Sequence, residues 1–230
     1  VAFLKEFKLI ESEYFPNEEL KRGSAILAEG AQGALLDIDF GSYPFVTSSS
    51  TVTAGACTGL GVAPRHIGEV YGIFKAYSTR VGSGPFPTEL LDDQGDLMRK
   101  EGNEFGSTTG RPRRCGWIDI PALKYSIMIN GVTQLLMMKA DVLSAFPVIK
   151  VCTHYQLNDG AITDMIPYEV VKEKIIPVYK ELKGWNVSLK DATKENLPSE
   201  LVDYIKFLET TLDVPITLVS TGPDRTQTIL

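Results

Sequence analysis

The chain has 230 residues, enough for one large domain or two small ones with a sizeable core, and its 43% apolar and 23% charged residues are ordinary for a globular protein. A formal net charge of −6 argues against nucleic acid or an anionic membrane surface as partner, and no apolar run approaches the ~20 residues that a membrane helix needs. Three widely spaced cysteines (Cys57, Cys115, Cys152) form no metal-ligand pattern and the two histidines (His66, His154) have no paired ligand, so a reduced, cytoplasmic protein with no metal centre in this chain is expected.

The opening VAFLKEFKLIESEYF mixes charges with apolar residues, unlike a secretory leader. Phe3, Leu4, Phe7 and Ile10 are spaced for an amphipathic helix, and Pro16-Asn17 ends it or turns the chain. The chain starts on Val1 and this first apolar segment has no capping residue before it, so upstream coding sequence is expected. Residues 24–28 (SAILA) read as a short buried strand running into the glycine-rich EGAQG (29–33). Open α/β sheets place ligands at such carboxyl ends of strands. Gln32 lies between Gly30 and Gly33, so its amide is presented on a bare backbone to a base edge or a phosphate. Glu29, Asp37 and Asp39 have no metal-selecting spacing and read as structural or solvated. The hydroxyl-rich TSSSTVT (47–53) is either a polar surface loop or a set of donors for phosphate or ribose.

EVYGIFKAYST (69–79) reads as one long strand, and GSGPFP (82–87) breaks the chain. The most informative stretch follows. GSTTGRPRRCGW (106–117) sets Arg111, Arg113 and Arg114 beside Gly, Ser and Thr. Arginine offers a planar fork for phosphate or carboxylate. An acidic chain that gathers positive charge in one loop directs it at an anion; a solvated surface loop is the alternative. Asp119 caps a helix over 119–128, with Pro121 in its first turn. QLLMM (134–138) reads as a strand buried on both faces that delivers Lys139-Ala140-Asp141. Another strand spans 147–155, LNDG (157–160) turns, and 171–183 is strand or helix. Leu201, Ile205, Leu208 and Leu212 mark an amphipathic helix starting near Ser199 or Glu200. PITLV (215–219) is a strand ending in STGPD (220–224).

Lys139 and Asp141 come straight off a buried strand. One carboxylate can accept both N1–H and N2–H₂ of guanine, a donor pair that adenine lacks, and a lysine stem can lie over the base with its ammonium in water. G-domain GTPases use a similar Lys-x-Asp after a strand, although many strand ends carry charges for no such reason. The chain holds no GxxxxGK[ST] loop, no GxGxxG opening a helix, and no group that reads as a general base. From the residues alone it offers clamps for an anion and a purine base.

Five segments in register, EGAQGALLDIDFGSYPFVTSS (29–49), KAYSTRVGSGPFPTEL (75–90), GSTTGRPRRCGWID (106–119), KADVL (139–143) and STGPDR (220–225), resemble the adenylosuccinate synthetase family. The resemblance implies an α/β fold with a central, mostly parallel sheet flanked by helices and a smaller mixed subdomain carrying the arginine loop. The expected division is 1–81 for the sheet domain and 82–230 for the subdomain. It further implies a cytoplasmic homodimeric ligase of purine biosynthesis that uses GTP and Mg²⁺ to join IMP and L-aspartate. By resemblance, Gln32, Thr47, Val81 and Arg111 contact IMP. Ser107, Thr108, Thr109, Gly110, Arg111, Pro112 and Arg113 form a mobile loop that closes on aspartate. Arg113, Lys139, Ala140, Asp141, Ser220, Thr221 and Gly222 bind GTP. The family's GDEGKGK phosphate loop, its catalytic Asp and His and its Mg²⁺ ligands have no counterpart here. This chain is therefore expected to be the C-terminal portion of a longer enzyme, with no catalytic residue of its own and no turnover alone. The rival expectations are a truncated module that binds purine nucleotide or dimerises, and a generic α/β domain.

Overall fold

Apolar spacing becomes helix or strand only where a partner surface exists to receive it, and this decides the architecture. A computed structural model describes residues 3–7, 9–106 and 110–229. They fall into two units, residues 1–68 and 69–230.

The first unit contains helices α1 (Tyr14–Lys21) and α2 (Ala54–Leu60) with short 3₁₀ turns at Phe3–Glu6, Ala34–Leu36 and Pro64–His66. The amphipathic helix expected at the start shrinks to the turn Phe3–Glu6, because one uncapped turn does not repay the cost of helix nucleation. Pro16 sits inside α1 rather than ending it; in the first turn the missing N–H costs nothing. Asn17 ties α1 to the end of α2 by donating to the carbonyls of Glu13 (2.6 Å) and Gly61 (2.9 Å). Gly61 ends α2 at φ +66°, a left-handed cap that glycine adopts freely. The strand expected at 24–28 does not form. No ladder partner pairs with it among the described residues, and Leu27 is 88% exposed.

In the second unit the order is β1 (Tyr71–Lys75), β2 (Ser78–Arg80), α3 (Asp93–Glu101), β3 (Arg114–Gly116), β4 (Ile118–Asp119), α4 (Ile120–Asn130), β5 (Gln134–Met138), a 3₁₀ turn at Ala140–Ala145, β6 (Val148–Gln156), β7 (Ile162–Thr163), β8 (Ile176–Lys183), α5 (Ser199–Leu212), β9 (Ile216–Ser220) and β10 (Thr228–Ile229). The central sheet runs β1-β5-β9-β10, with β1, β5 and β9 parallel and β10 antiparallel. A second sheet is built on β6, which pairs parallel with β4 and antiparallel with β7 and β8. β2 and β3 form a small antiparallel pair. The expected mixed α/β fold of mostly parallel strands with flanking helices is present.

Several local expectations hold. α4 starts on Asp119, whose carboxylate accepts from Ala122 N at 3.2 Å, and ends on Gly131 at φ +62°. Burial pushes the Asp119 carboxyl up to about 6, against the hydrogen bonds it accepts from Tyr155 Oη and Ala122 N. β5 and β9 fall where their apolar runs lie, and of 171–183 the part Ile176–Lys183 is the strand β8, preceded by a turn. β5 is not buried evenly on two faces: Leu135 and Met137 are buried, while Leu136 and Met138 are half-covered. The long strand expected over 69–79 is divided at Ala76-Tyr77. There Tyr77 turns into the core, and the Ala76 carbonyl accepts from Tyr204 Oη of α5 at 2.7 Å.

The core joins both sheets through Met137, Ile120, Val151, Leu208 and the edge-to-face pair Trp117–Phe146 at 5.3 Å. Leu208 is fully buried. Its truncation, Leu208→Ala, is expected to cost about 2–5 kcal/mol of unfolding free energy through lost contacts and a residual cavity. Urea denaturation of the two proteins measures this; a difference below about 1 kcal/mol would mean that α5 repacks.

Candidate functional site

The carboxyl end of β5 is the first structural feature of the site. Lys139 follows it with φ +60°, a left-handed conformation uncommon for a residue with a side chain. That conformation turns the chain from strand into the 3₁₀ helix, with Ala140 buried and Asp141 in its first turn. Such backbone positions cluster where geometry serves a ligand.

Lys139 is held by its side chain. Its ammonium donates to Gly102 O (2.6 Å) and to Glu104 Oε1 (2.9 Å). Glu104 has no exposed side-chain surface, yet it accepts from four groups: Lys75 (2.7 Å), Tyr77, Lys139 and Arg113 (2.9 Å, to Oε2). Burial alone would raise its carboxyl; the hydrogen bonds from Lys75, Tyr77 and Lys139, with the charge of Lys75, hold it down at about 2. Burial also pushes the Lys75 ammonium below its ordinary range, opposed by Glu104. Three cations meet one carboxylate here, leaving two positive charges in excess.

The arginine loop rises from this same point. Arg113 N donates to Glu104 O (2.9 Å), Gly106 N to Arg111 O (2.8 Å), and Phe105 bridges Pro112, so the loop has the root of a hairpin. Gly110 turns it at φ +63°. Arg99 Nε further holds the Arg113 carbonyl at 2.8 Å. The Arg113 side chain is 31% exposed, and its Nε is buried without a hydrogen-bond partner among the described residues. Arg111 is exposed. Ser107, Thr108 and Thr109 lie outside the described residues. Arg114 is engaged elsewhere. It grips both Glu89 oxygens, donates to the carbonyls of Gly82 (3.2 Å) and Gly84 (2.8 Å), and stacks 5.5 Å over Phe86. Its donors are spent on tying the 82–89 segment to β3.

A cavity of about 480 Å³ opens beside Asp141 and is also lined by Ser144, Asn186, Lys190, Thr221 and Gly222. That size suits a small-molecule ligand. Burial raises the Asp141 carboxyl, opposed by its own backbone N–H, by Lys139 and by Val142 N–H. The end of β9 reaches the cavity through Thr221, which is buried with its N–H on Gln227 O (2.9 Å); Ser220 Oγ closes the turn onto Gly222 O (2.9 Å). Two strand ends far apart in sequence thus meet at one cavity. Reading the sequence missed Ser144, Asn186 and Lys190. They come from the 3₁₀ turn and the segment after β8, where Trp185 Nε1 donates to Ser144 Oγ (3.0 Å). Nothing in their spacing signals this; Asn186 at φ +43° hints only at a turn.

Val81 follows β2 and is 59% exposed. Gln32 and Thr47 belong to the first unit. Gln32 adopts φ +69° on an exposed turn, and Thr47 N donates to Leu36 O at 2.8 Å. Both flank Asp37, whose buried carboxylate accepts from the N–H groups of Asp39, Phe40, Thr51 and Val52. Among the described residues no group of three or more His, Cys, Asp or Glu converges to hold a metal ion. No described helix is long and apolar enough to cross a membrane.

The Glu104 carboxyl sits below its ordinary 4.5, so the stability it confers is complete above about 4.5 and is lost as the pH falls toward about 2. Thermal melting across that window is expected to show this loss, with a flatter profile in Glu104→Gln. Superimposable profiles would remove Glu104 as the titrating group.

The adenylosuccinate synthetase family model matches residues 3–229. The adenylosuccinate synthetase of Cytophaga hutchinsonii is 64% identical over 228 residues, covering 99% of this chain and 53% of that protein. That of Christiangramia forsetii is 61% identical over 230 residues, covering all of this chain and 54% of that protein. The fully ligated adenylosuccinate synthetase of Plasmodium falciparum superimposes with a TM-score of 0.94 at 38% identity, covering all of this chain and 55% of that one. The succinoaminodeoxyadenylate synthetase of cyanophage S-2L, at 20% identity and a TM-score of 0.62, is similar in fold. The chain spans about half the length of the curated relatives it matches. On a family match that runs almost end to end, together with strand ends and an arginine loop gathered around Glu104 and one cavity, the chain belongs to the adenylosuccinate synthetase family.

Proposed function

We propose that this chain supplies the guanine-recognition and aspartate-binding half of a cytoplasmic, homodimeric ligase of purine biosynthesis. The reaction uses GTP to join IMP and L-aspartate into adenylosuccinate, with GDP and phosphate released. The observation that carries this reading is the linkage of Arg113 and Lys139 through Glu104, next to a cavity that Asp141, Thr221 and Gly222 share.

Each residue has a role its chemistry can perform. Asp141 accepts N1–H and N2–H₂ of guanine, a pairing that adenine would leave unmade. The Lys139 stem covers the base face; Ala140, Ser220, Thr221 and Gly222 frame the base edge. Arg113 meets the GTP phosphates, and Arg111 bridges IMP and the carboxylates of aspartate, the bidentate recognition for which a guanidinium is suited. Ser107, Thr108, Thr109, Gly110 and Pro112 complete the aspartate loop. Gln32, Thr47 and Val81 contact IMP. The family's Mg²⁺ would offset phosphate charge when bound; among the described residues no group of three or more His, Cys, Asp or Glu converges to hold it.

Asp141→Asn is expected to weaken GTP binding by roughly 10- to 100-fold, the worth of a charge-assisted pair, and to relax the preference for guanine. Calorimetric titration with GTP and ATP measures both; unchanged GTP affinity overturns the guanine assignment. In a full-length protein carrying these residues, Arg111→Leu is expected to raise the KM for aspartate or abolish turnover. Normal KM and kcat would remove Arg111 from the site. The 230 residues alone, given IMP, GTP, aspartate and Mg²⁺, are expected not to turn over.

A further inference from the structure

Lys139 and Arg113, both assigned to GTP in the proposed function, come from different parts of the chain, one from the end of β5 and the other from the root of the arginine loop. Both side chains bond the same buried carboxylate, Lys139 on Oε1 and Arg113 on Oε2. Glu104 is itself fixed by its backbone: its N–H is held by Arg99 O at 2.9 Å, and its carbonyl holds Arg113 N at 2.9 Å. Tyr77 and Lys75 share Oε1 with Lys139, and Lys75 also donates to Thr79 Oγ1 (3.0 Å). Displacing one partner therefore changes the charge balance felt by the other.

We infer that Glu104 is a positioning residue that couples the arginine loop to the guanine pocket, holding Arg113 and Lys139 in the geometry that GTP requires. This rests on the reading of the cavity and loop as a GTP site. Three features argue for a positioning role over simple fold stability. The two bound cations are about one-third exposed, at 31% for Arg113 and 35% for Lys139, so each presents surface to a ligand while its bonds to Glu104 restrict its rotamers. The left-handed backbone of Lys139 is held from outside its own strand by the bonds to Gly102 and Glu104. The excess of positive charge over Glu104 alone remains available to an anion. A neutral residue at 104 would leave three mutually repelling cations and free rotamers on both nucleotide-facing side chains.

The test is a mutant cycle on GTP affinity, measured by calorimetric titration of the whole chain. Glu104→Gln is expected to weaken GTP binding about tenfold or more, as does loss of a preorganising charged contact. In a background carrying Arg113→Leu and Lys139→Met it is expected to cost less than about twofold, because the side chains it orients are gone. A purely structural role would instead give the same loss of GTP affinity in both backgrounds, which overturns the inference. If Glu104→Gln does not fold, Tyr77→Phe decides: removing one neutral donor is expected to weaken GTP binding by about threefold, and an unchanged affinity overturns the inference. Wild-type chain that binds no GTP overturns the nucleotide reading itself and the positioning role with it.

Discussion

A carboxylate with no exposed surface is unfavourable unless its charge is compensated, and Glu104 is compensated by three cations and a phenol drawn from three places in the chain. That requirement organises the second unit. It holds Tyr77 inside the core at the point where β1 gives way to β2. It anchors the root of the arginine loop, and it clamps Lys139 as the chain leaves β5. Removing the carboxylate would leave the cations to repel one another; removing a cation would leave the buried charge short of a partner. The cluster is therefore held by mutual need, and its members cannot drift independently.

The division of labour among the arginines follows from where their donors go. Arg114 bonds both oxygens of Glu89 and two carbonyls, so it is scaffolding for the 82–89 segment. Arg113 bonds Glu104 through Nη1 and keeps part of its guanidinium exposed. Residues one apart in sequence thus serve opposite ends, because extended backbone sends neighbouring side chains to opposite faces. The first unit has a smaller counterpart of the Glu104 hub. Asp37 is buried, and four backbone N–H donors hold its carboxyl below the ordinary range against the opposing effect of burial. This clamp ties 37–40 to Thr51 and Val52 of the hydroxyl-rich segment, and Thr51 Oγ1 in turn donates to Gly33 O at 2.8 Å, beside Gln32.

Much was legible from residues alone. Asp119 opens α4 because a carboxylate cap satisfies the first N–H groups of a helix locally. The apolar runs of β5 and β9 declare strands. Five motifs in register carried the family. These features depend on neighbours in sequence, so spacing reveals them.

What only the tertiary structure decided depends on residues far apart. Residues 24–28 have strand composition but no ladder, since a strand exists only by pairing. Ser144, Asn186 and Lys190 line the cavity through the packing of separate elements, and no motif links them. Nothing in the residues around Glu104 marks it as a hub. Its role emerges because folding brings Lys75, Tyr77, Arg113 and Lys139 to it, and burial then turns that meeting into a constraint.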